Sequence, residues 1–184
     1  MIAAVFLASG RGKRFGGDKL LWPVEGIPMA ERAFCALPPD IPGVVVTGSG
    51  DVAVLAHKYP RLTVVENHDG RDDVARTIRM GVEALPKEAE GALFFVCDQP
   101  WLKQESVSRL AEAFQKDPNK IYVLSHGDRM GNPCLFPREF FPELMALPPD
   151  TGGKAVIARH PERVSLVPAA EARELADVDY RPEE

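Results

Sequence analysis

Residues 9–19 read SGRGKRFGGDK and gather the groups best suited to holding an anion. Gly10, Gly12, Gly16 and Gly17 stand among Arg11, Lys13 and Arg14, and Lys19 follows. Glycines let backbone N–H groups approach an anion, and the cations neutralise it. Just before them lies the apolar run IAAVFL, residues 2–7. It predicts a strand buried on both faces, as in a parallel sheet. A buried strand that runs into a basic, glycine-rich loop is an arrangement that cradles phosphates. The plainer reading is a glycine-rich turn with solvated bases. Two well-known phosphate loops do not fit. Gly12-Lys13 is followed by Arg14, where a Walker A loop needs Ser or Thr, and Phe15 stands where the dinucleotide fingerprint needs its third glycine.

The second chemical group is Asp98 in FFVCDQP, residues 94–100. An aspartate directly after a buried strand lies at the carboxyl end of the sheet, where open α/β sheets bind ligands. There it offers a hard oxygen to Mg²⁺, which bridges phosphate oxygens. The alternative is that Asp98 only caps the next helix. Cys97 points the other way and reads as packing.

The elements around these groups alternate. Helical spacing marks residues 28–37, 74–85 and 107–114, with Asp51 as a cap for a helix reaching about Lys58. Helices are also expected over 139–147 and 153–159. Short apolar strands are expected at 44–46, 62–65, 92–97, 121–124, 164–167 and 175–178. Residues 131–136 read as a strand, but Pro133 inside it demotes it to an edge or a bulge. The pattern implies one α/β domain over residues 1–184. Its sheet is mostly parallel, with one antiparallel edge region and helices on both faces.

The 184 residues carry a net charge of −5, so no general attraction to nucleic acid or to an acidic membrane is expected. Any anion must be held locally, by the 9–19 loop. Cys35, Cys97 and Cys134 lie far apart without a CxxC, which suits free thiols in a reducing cytoplasm. The histidines show no metal-ligand spacing. The first apolar run lacks a basic leader, so it reads as a strand and not as a signal peptide.

The loop, LASGRGKRFGGDKLL, resembles the signature of the GT-A-like nucleotidyltransferases. The ordered set of that loop, then NHDGRDDVARTIRMG, CDQP, GNPCLF, DTGGK and DVDYRPEE is similar to the MobA/MocA-like molybdenum cofactor nucleotidyltransferases, and closest to the cytidylyltransferase branch. The resemblance spans essentially the whole chain. It implies a Rossmann-like GT-A fold and a Mg²⁺-dependent reaction. In that reaction the terminal phosphate of molybdopterin attacks the α-phosphorus of a nucleoside triphosphate and pyrophosphate leaves.

By position, the resemblance implies that Leu7, Ala8, Ser9, Gly10, Arg11, Gly12 and Lys13 hold the nucleotide, with Asn67, Arg76 and Thr77 near the base and ribose. It makes Arg14 and Lys19 the phosphate-binding cations and Asp98 the magnesium ligand. It places Asn132, Asp177 and Asp179 near the acceptor. A phosphate nucleophile, with a second pKa of about 6, needs no general base. The chain shows no Ser-His-Asp or Cys-His set.

Ser9 stands where cytidylyl relatives have alanine and guanylyl relatives glycine. A serine narrows the room for a purine, so CTP is expected to be favoured over GTP. GTP, or another phosphorylated acceptor, is the alternative. A different class of alternative is a non-catalytic module that delivers cofactor to a molybdoenzyme or its chaperone, or that binds nucleotide.

Overall fold

In the computed structural model, which describes residues 1–10, 12, 14–69 and 71–181, the first apolar run forms β1 (Ile2–Ala8). A small hairpin follows, β2 (Pro23–Val24) with β3 (Ile27–Pro28). Next come α1 (Met29–Ala36), β4 (Gly43–Thr47), α2 (Gly50–Ala56), β5 (Leu62–Glu66) and α3 (Val74–Glu83). The second half adds β6 (Gly91–Val96), α4 (Gln104–Lys116), β7 (Ile121–His126) and β8 (Arg129–Pro137). It ends with α5 (Phe141–Met145), α6 (Lys154–Arg159) and β9 (Val164–Pro168).

Seven strands form one sheet in the order β5-β4-β1-β6-β8-β7-β9. All neighbours are parallel except β8, which runs antiparallel to both β6 and β7. The sheet is buried on two sides, and the period of two along β1 shows why its sequence is apolar throughout. Ala4, Phe6 and Ala8 join one core with α1, α2 and α4. Val5 joins the other core, with α3, α5 and α6. On the first side Phe6 stacks on Phe95 with ring centroids 4.6 Å apart and meets the edge of Phe34 at 5.1 Å. Among the described residues no helix is long and apolar enough to cross a membrane.

Three expectations need correction. The strand around Pro133 is antiparallel but is not an edge: it lies inside the sheet, between β6 and β7, and of the two expected alternatives it takes the bulge. Its proline is accommodated by an irregularity: β7 pairs with β8 at Val123–Cys134 and again at Ser125–Met130, which leaves residues 131–133 out of that ladder. A proline needs no partner for a missing N–H there. The expected strand at 175–178 is instead a short 3₁₀ turn, Ala172–Leu175, followed by extended chain that lies across the ends of the strands. The cap of α2 is Ser49 and not Asp51: the Ser49 hydroxyl accepts from Val52 N at 3.3 Å. Asp73 does serve the positive end of α3. Its Oδ1 accepts from Ala75 N and from Asp150 N, both at 3.0 Å, and so ties α3 to the loop before α6.

Helix α3 lies close over β1. A Cβ built on Gly81 would sit 2.3 Å from Cγ1 of the fully buried Val5. A branched side chain with no exposed surface cannot move aside, so the helix must shift. Gly81→Ala is therefore expected to destabilise the fold by about 2 kcal/mol or more in urea unfolding, despite the better helix propensity of alanine. An unchanged or raised unfolding midpoint would contradict this packing.

Candidate functional site

The connection after β1 leads to β4 and β5 on one side of it, while β6 lies on the other side. The carboxyl ends of β1 and β6 thus form the crevice where the strand order reverses, the usual place for a ligand in an open α/β sheet. Three segments meet there: the loop after β1, the turn after β6, and the extended chain near the C-terminus.

The first loop is shaped by Gly12, which has φ of +56° and whose carbonyl accepts from Phe15 N at 2.8 Å and Gly16 N at 3.2 Å. A Cβ at Gly12 would come within 2.9 Å of the Lys19 Cβ, so glycine is needed there for conformation and for space. Phe15, buried against Met29 and Val178, anchors the far side of the loop. Lys19 then opens a 3₁₀ turn (Lys19–Leu21) pinned by the buried Leu20. Its Nζ donates to Asp98 Oδ2 at 3.0 Å and to Asp179 Oδ1 at 3.3 Å.

Asp98 follows β6 directly. Burial raises its pKa above the ordinary carboxylate value, and the nearby Asp177 adds to that, while the Lys19 ammonium opposes both. The Asp98 carbonyl accepts from Val178 N at 3.0 Å. Gln99, also buried, donates through Nε2 to the Leu175 carbonyl at 3.3 Å and to Asp177 Oδ1 at 3.0 Å. Arg181 completes the strap. It donates to the Gly16 carbonyl at 3.0 Å, and its guanidinium lies 4.9 Å from the Trp22 ring centre and 5.7 Å from that of Phe15. The base of the strap is held by the buried Glu174, whose carboxylate accepts from the backbone N–H groups of Lys103, Ala170 and Glu171.

These segments wall a cleft of about 450 Å³. Leu7, Ser9, Gly10, Gly12, Arg14, Lys19, Thr77, Asp98 and Asp179 all line it. An adjoining cavity of about 400 Å³ is bordered by Ala8, Ser9, Asp18, Ser49, Asn67 and Asp69, among others. A third, mainly apolar and about 430 Å³, shares Leu7, Val74 and Val96 with the cleft and contains Asn132.

Several expected site residues are already engaged by the protein itself. The Asn67 side chain is buried; its Oδ1 accepts from Asp69 N at 3.3 Å and Arg76 Nε at 3.2 Å, and its Nδ2 donates to Ser9 Oγ at 3.3 Å. The Ser9 hydroxyl in turn donates to the Val46 carbonyl at 3.2 Å. Thr77 Oγ1 donates to the Asp73 carbonyl. The three residues assigned to the acceptor do not gather: Asp179 lines the cleft, Asp177 is bound to Gln99, and Asn132 belongs to the apolar cavity. Arg11 and Lys13 lie outside the described residues.

The sequence reading missed Gln99 and Arg181. CDQP and DYRPEE contain them, but nothing in the spacing shows that the C-terminal chain returns to the loop. Cys97 and Cys134 are buried and unpaired, and burial raises both thiols well above the neutral range, which removes them as nucleophiles.

Asp98 and Asp179 present hard oxygens to one point, and Lys19 shows that this point suits positive charge. Among the described residues no group of three or more acid, histidine or cysteine side chains is placed to hold a metal ion. The two carboxylates of Asp98 and Asp179 are a donor set that Mg²⁺ can use, with phosphate oxygens and water completing its shell.

Gln99→Leu is expected to loosen the strap. The Leu175 carbonyl keeps Arg129 Nη2 as a donor at 3.1 Å and the exposed Asp177 carboxylate turns to water, so stability to urea should fall by about 0.5–1.5 kcal/mol, the net worth of the lost hydrogen bonds. Carboxypeptidase should also trim the chain faster toward Leu175. Unchanged stability and trimming would contradict the bridging role of Gln99.

The MobA-like NTP transferase domain family matches residues 4–164. A molybdenum cofactor guanylyltransferase of Rhodobacter capsulatus is 34% identical over 113 residues, which span 61% of this chain and 58% of that protein. One from Cupriavidus metallidurans is 27% identical over 186 residues, covering 97% of this chain and 90% of that protein. In solved structures, a nucleotidyl transferase from Methanothermobacter thermautotroptrophicus superposes with a TM-score of 0.83 at 23% identity, over 98% of this chain and 92% of that one. That likeness carries the fold, and the family match carries the chemistry: the chain belongs to the MobA-like NTP transferase family and is a nucleotidyltransferase.

Proposed function

We propose that this protein joins the nucleoside monophosphate of GTP to the phosphate of a molybdopterin-type acceptor and releases pyrophosphate. The observation that carries this reading is the meeting of Lys19, Asp98 and Asp179 at the β1–β6 crevice, at the open end of a glycine-rich loop. Arg14, exposed on that loop, forms no ion pair with any described residue and lines the same cleft as Lys19; together they neutralise the triphosphate. Asp98, with Asp179, would hold Mg²⁺, which would supply charge neutralisation at the phosphates. The backbone of residues 8–10 and 12 supplies N–H donors. The nucleophile arrives as a phosphate dianion, so no side chain need accept a proton. The work of the chain is positioning and electrostatic preorganisation.

GTP is favoured over CTP for two reasons. The curated relatives carry guanylyltransferase names. The cavity beside the cleft also places the carboxylates of Asp18 and Asp69 at its wall. A carboxylate can accept from guanine N1–H and N2–H together, whereas cytosine offers it only the N4 amino group. The Ser9 hydroxyl, which was expected to compete for that room, is turned to Val46 and Asn67. CTP is the second reading. It rests on the Ser9 side chain, which stands at the boundary of both cavities where a glycine leaves more space.

Pyrophosphate release with molybdopterin and each of GTP, CTP, ATP and UTP tests the proposal. GTP should give the highest kcat/KM, and release should depend on the acceptor. Asp98→Asn should abolish turnover while leaving the melting temperature near that of the parent. Arg14→Ala and Lys19→Ala should each slow transfer about a hundredfold or more, the usual cost of one donor that stabilises transition-state charge. A higher kcat/KM with CTP selects the second reading. Release that ignores molybdopterin, or an active Asp98→Asn enzyme at saturating Mg²⁺, defeats the assignment.

A further inference from the structure

The cavity of about 400 Å³ beside the cleft has two carboxylates at its wall, and they are not equivalent. Asp69 is engaged by its own surroundings. Its Oδ1 accepts from Arg71 N at 3.2 Å, and the Nε atoms of Arg71 and Arg76 lie 3.6 and 3.8 Å from its carboxylate. His68 also borders the cavity, but its ring is turned to Glu66 at 3.0 Å. Asp18 is exposed, and among the described residues its carboxylate has one partner: Oδ2 accepts from the Ser49 hydroxyl at 2.8 Å. Its Oδ1 is left for a ligand.

Ser49 is fixed from its other sides as well. Its hydroxyl oxygen accepts from Val52 N at 3.3 Å and so caps α2, while its own N–H donates to Thr47 Oγ1 at 3.1 Å. The turn between β4 and α2 is pressed against the end of β5, since a Cβ at Gly48 would come within 2.9 Å of the Asn67 carbonyl. A serine hydroxyl has one proton to donate. With that proton committed to Asp18, the carboxylate is held with one oxygen tied and the other open.

Chain order adds a second observation. Asp18 and Lys19 are consecutive, yet Asp18 lines this cavity and Lys19 lines the cleft, while Ser9, Gly10 and Leu20 border both. A nucleotide with its phosphates at Lys19 therefore brings its base to Asp18.

We infer that Asp18 is the residue that distinguishes guanine from other bases, and that Ser49 is its positioning residue. The oxygen tied to Ser49 accepts from guanine N1–H, and the open oxygen accepts from the N2 amino group. The inference rests on the GTP reading above. It adds which of the two carboxylates reads the base and what aims it.

Binding of triphosphates, measured by calorimetry with Mg²⁺ and without acceptor, tests this apart from turnover. Inosine triphosphate lacks the N2 amino group, and xanthosine triphosphate carries a carbonyl in its place. The parent should bind GTP about tenfold or more tighter than inosine triphosphate, the worth of a hydrogen bond to a charged group. Asp18→Asn should reverse the choice in favour of xanthosine triphosphate, because Ser49 holds the amide oxygen and leaves the amide nitrogen to donate to the new carbonyl. Ser49→Asp keeps a good cap on α2 but has no proton to donate. It should bind GTP and inosine triphosphate alike, with an unfolding midpoint near that of the parent. A merely structural role for Ser49 would move stability and leave the ratio of the two affinities alone. The inference is overturned if the parent binds GTP and inosine triphosphate alike, if Asp18→Asn still prefers GTP to xanthosine triphosphate, or if Ser49→Asp keeps the parent's ratio. A parent that binds CTP more tightly than GTP defeats the GTP reading and this inference together. A parent that prefers GTP to CTP, but not to inosine triphosphate, overturns the inference alone.

Discussion

The ammonium of Lys19 is the point on which the site depends. It reaches one carboxylate after β6 and another on the C-terminal strap, at 3.0 and 3.3 Å. The three partners come from segments far apart in the chain, and no backbone pairing brings all three together. Side-chain relative exposure is 13% for Lys19, 26% for Asp98 and 53% for Asp179. The Lys19–Asp98 contact is thus largely shielded from water, where an ion pair is worth more than on an open surface, while the Asp179 contact is screened. Burial alone makes the Asp98 charge costly, and the direction of its pKa shows that burial outweighs Lys19. A carboxylate that is incompletely compensated by its own protein is a good place for a further cation.

The backbone around this ion pair supplies rigidity. Gly12 allows the loop to turn back on Lys19, and Phe15 packs that loop on Met29 and Val178. The strap is clamped at one end by Glu174 through three backbone N–H groups and at the other by Arg181 on the Trp22 and Phe15 rings. Gln99 joins the middle of the strap to the turn that carries Asp98. A transferase that works by positioning needs such a framework more than it needs reactive side chains, and the buried, unreactive cysteines agree with that.

Much of this was legible in the sequence because it depends on short-range pattern. Continuous apolar runs marked β1, β4 and β6, and the aspartate after Val96-Cys97 marked a strand end facing ligand. Glycine spacing marked the loop. What the sequence could not show depends on long-range return of the chain. Nothing in LADVDYR indicates that it lies across Asp98 and Gln99, so its apolar residues read as a strand. The position of β8 was misjudged for a related reason: a proline weakens a ladder, but an irregularity at residues 131–133 lets it stand between two partners. Ser9 was read as filling space, because a sequence does not reveal that its hydroxyl faces Val46 and Asn67.

The shared ammonium is tested most directly by a double-mutant cycle on stability with Lys19→Met, Asp98→Asn and the pair, measured by urea unfolding at neutral pH and low salt. Lys19→Met alone leaves Asp98 beside Asp177 and Asp179 without its cation, and should cost about 1–3 kcal/mol. Asp98→Asn in the same chain should recover part of that loss, with a coupling energy of about 1 kcal/mol or more. Effects that add within about 0.5 kcal/mol would contradict a shared ammonium that joins the loop, the β6 turn and the strap.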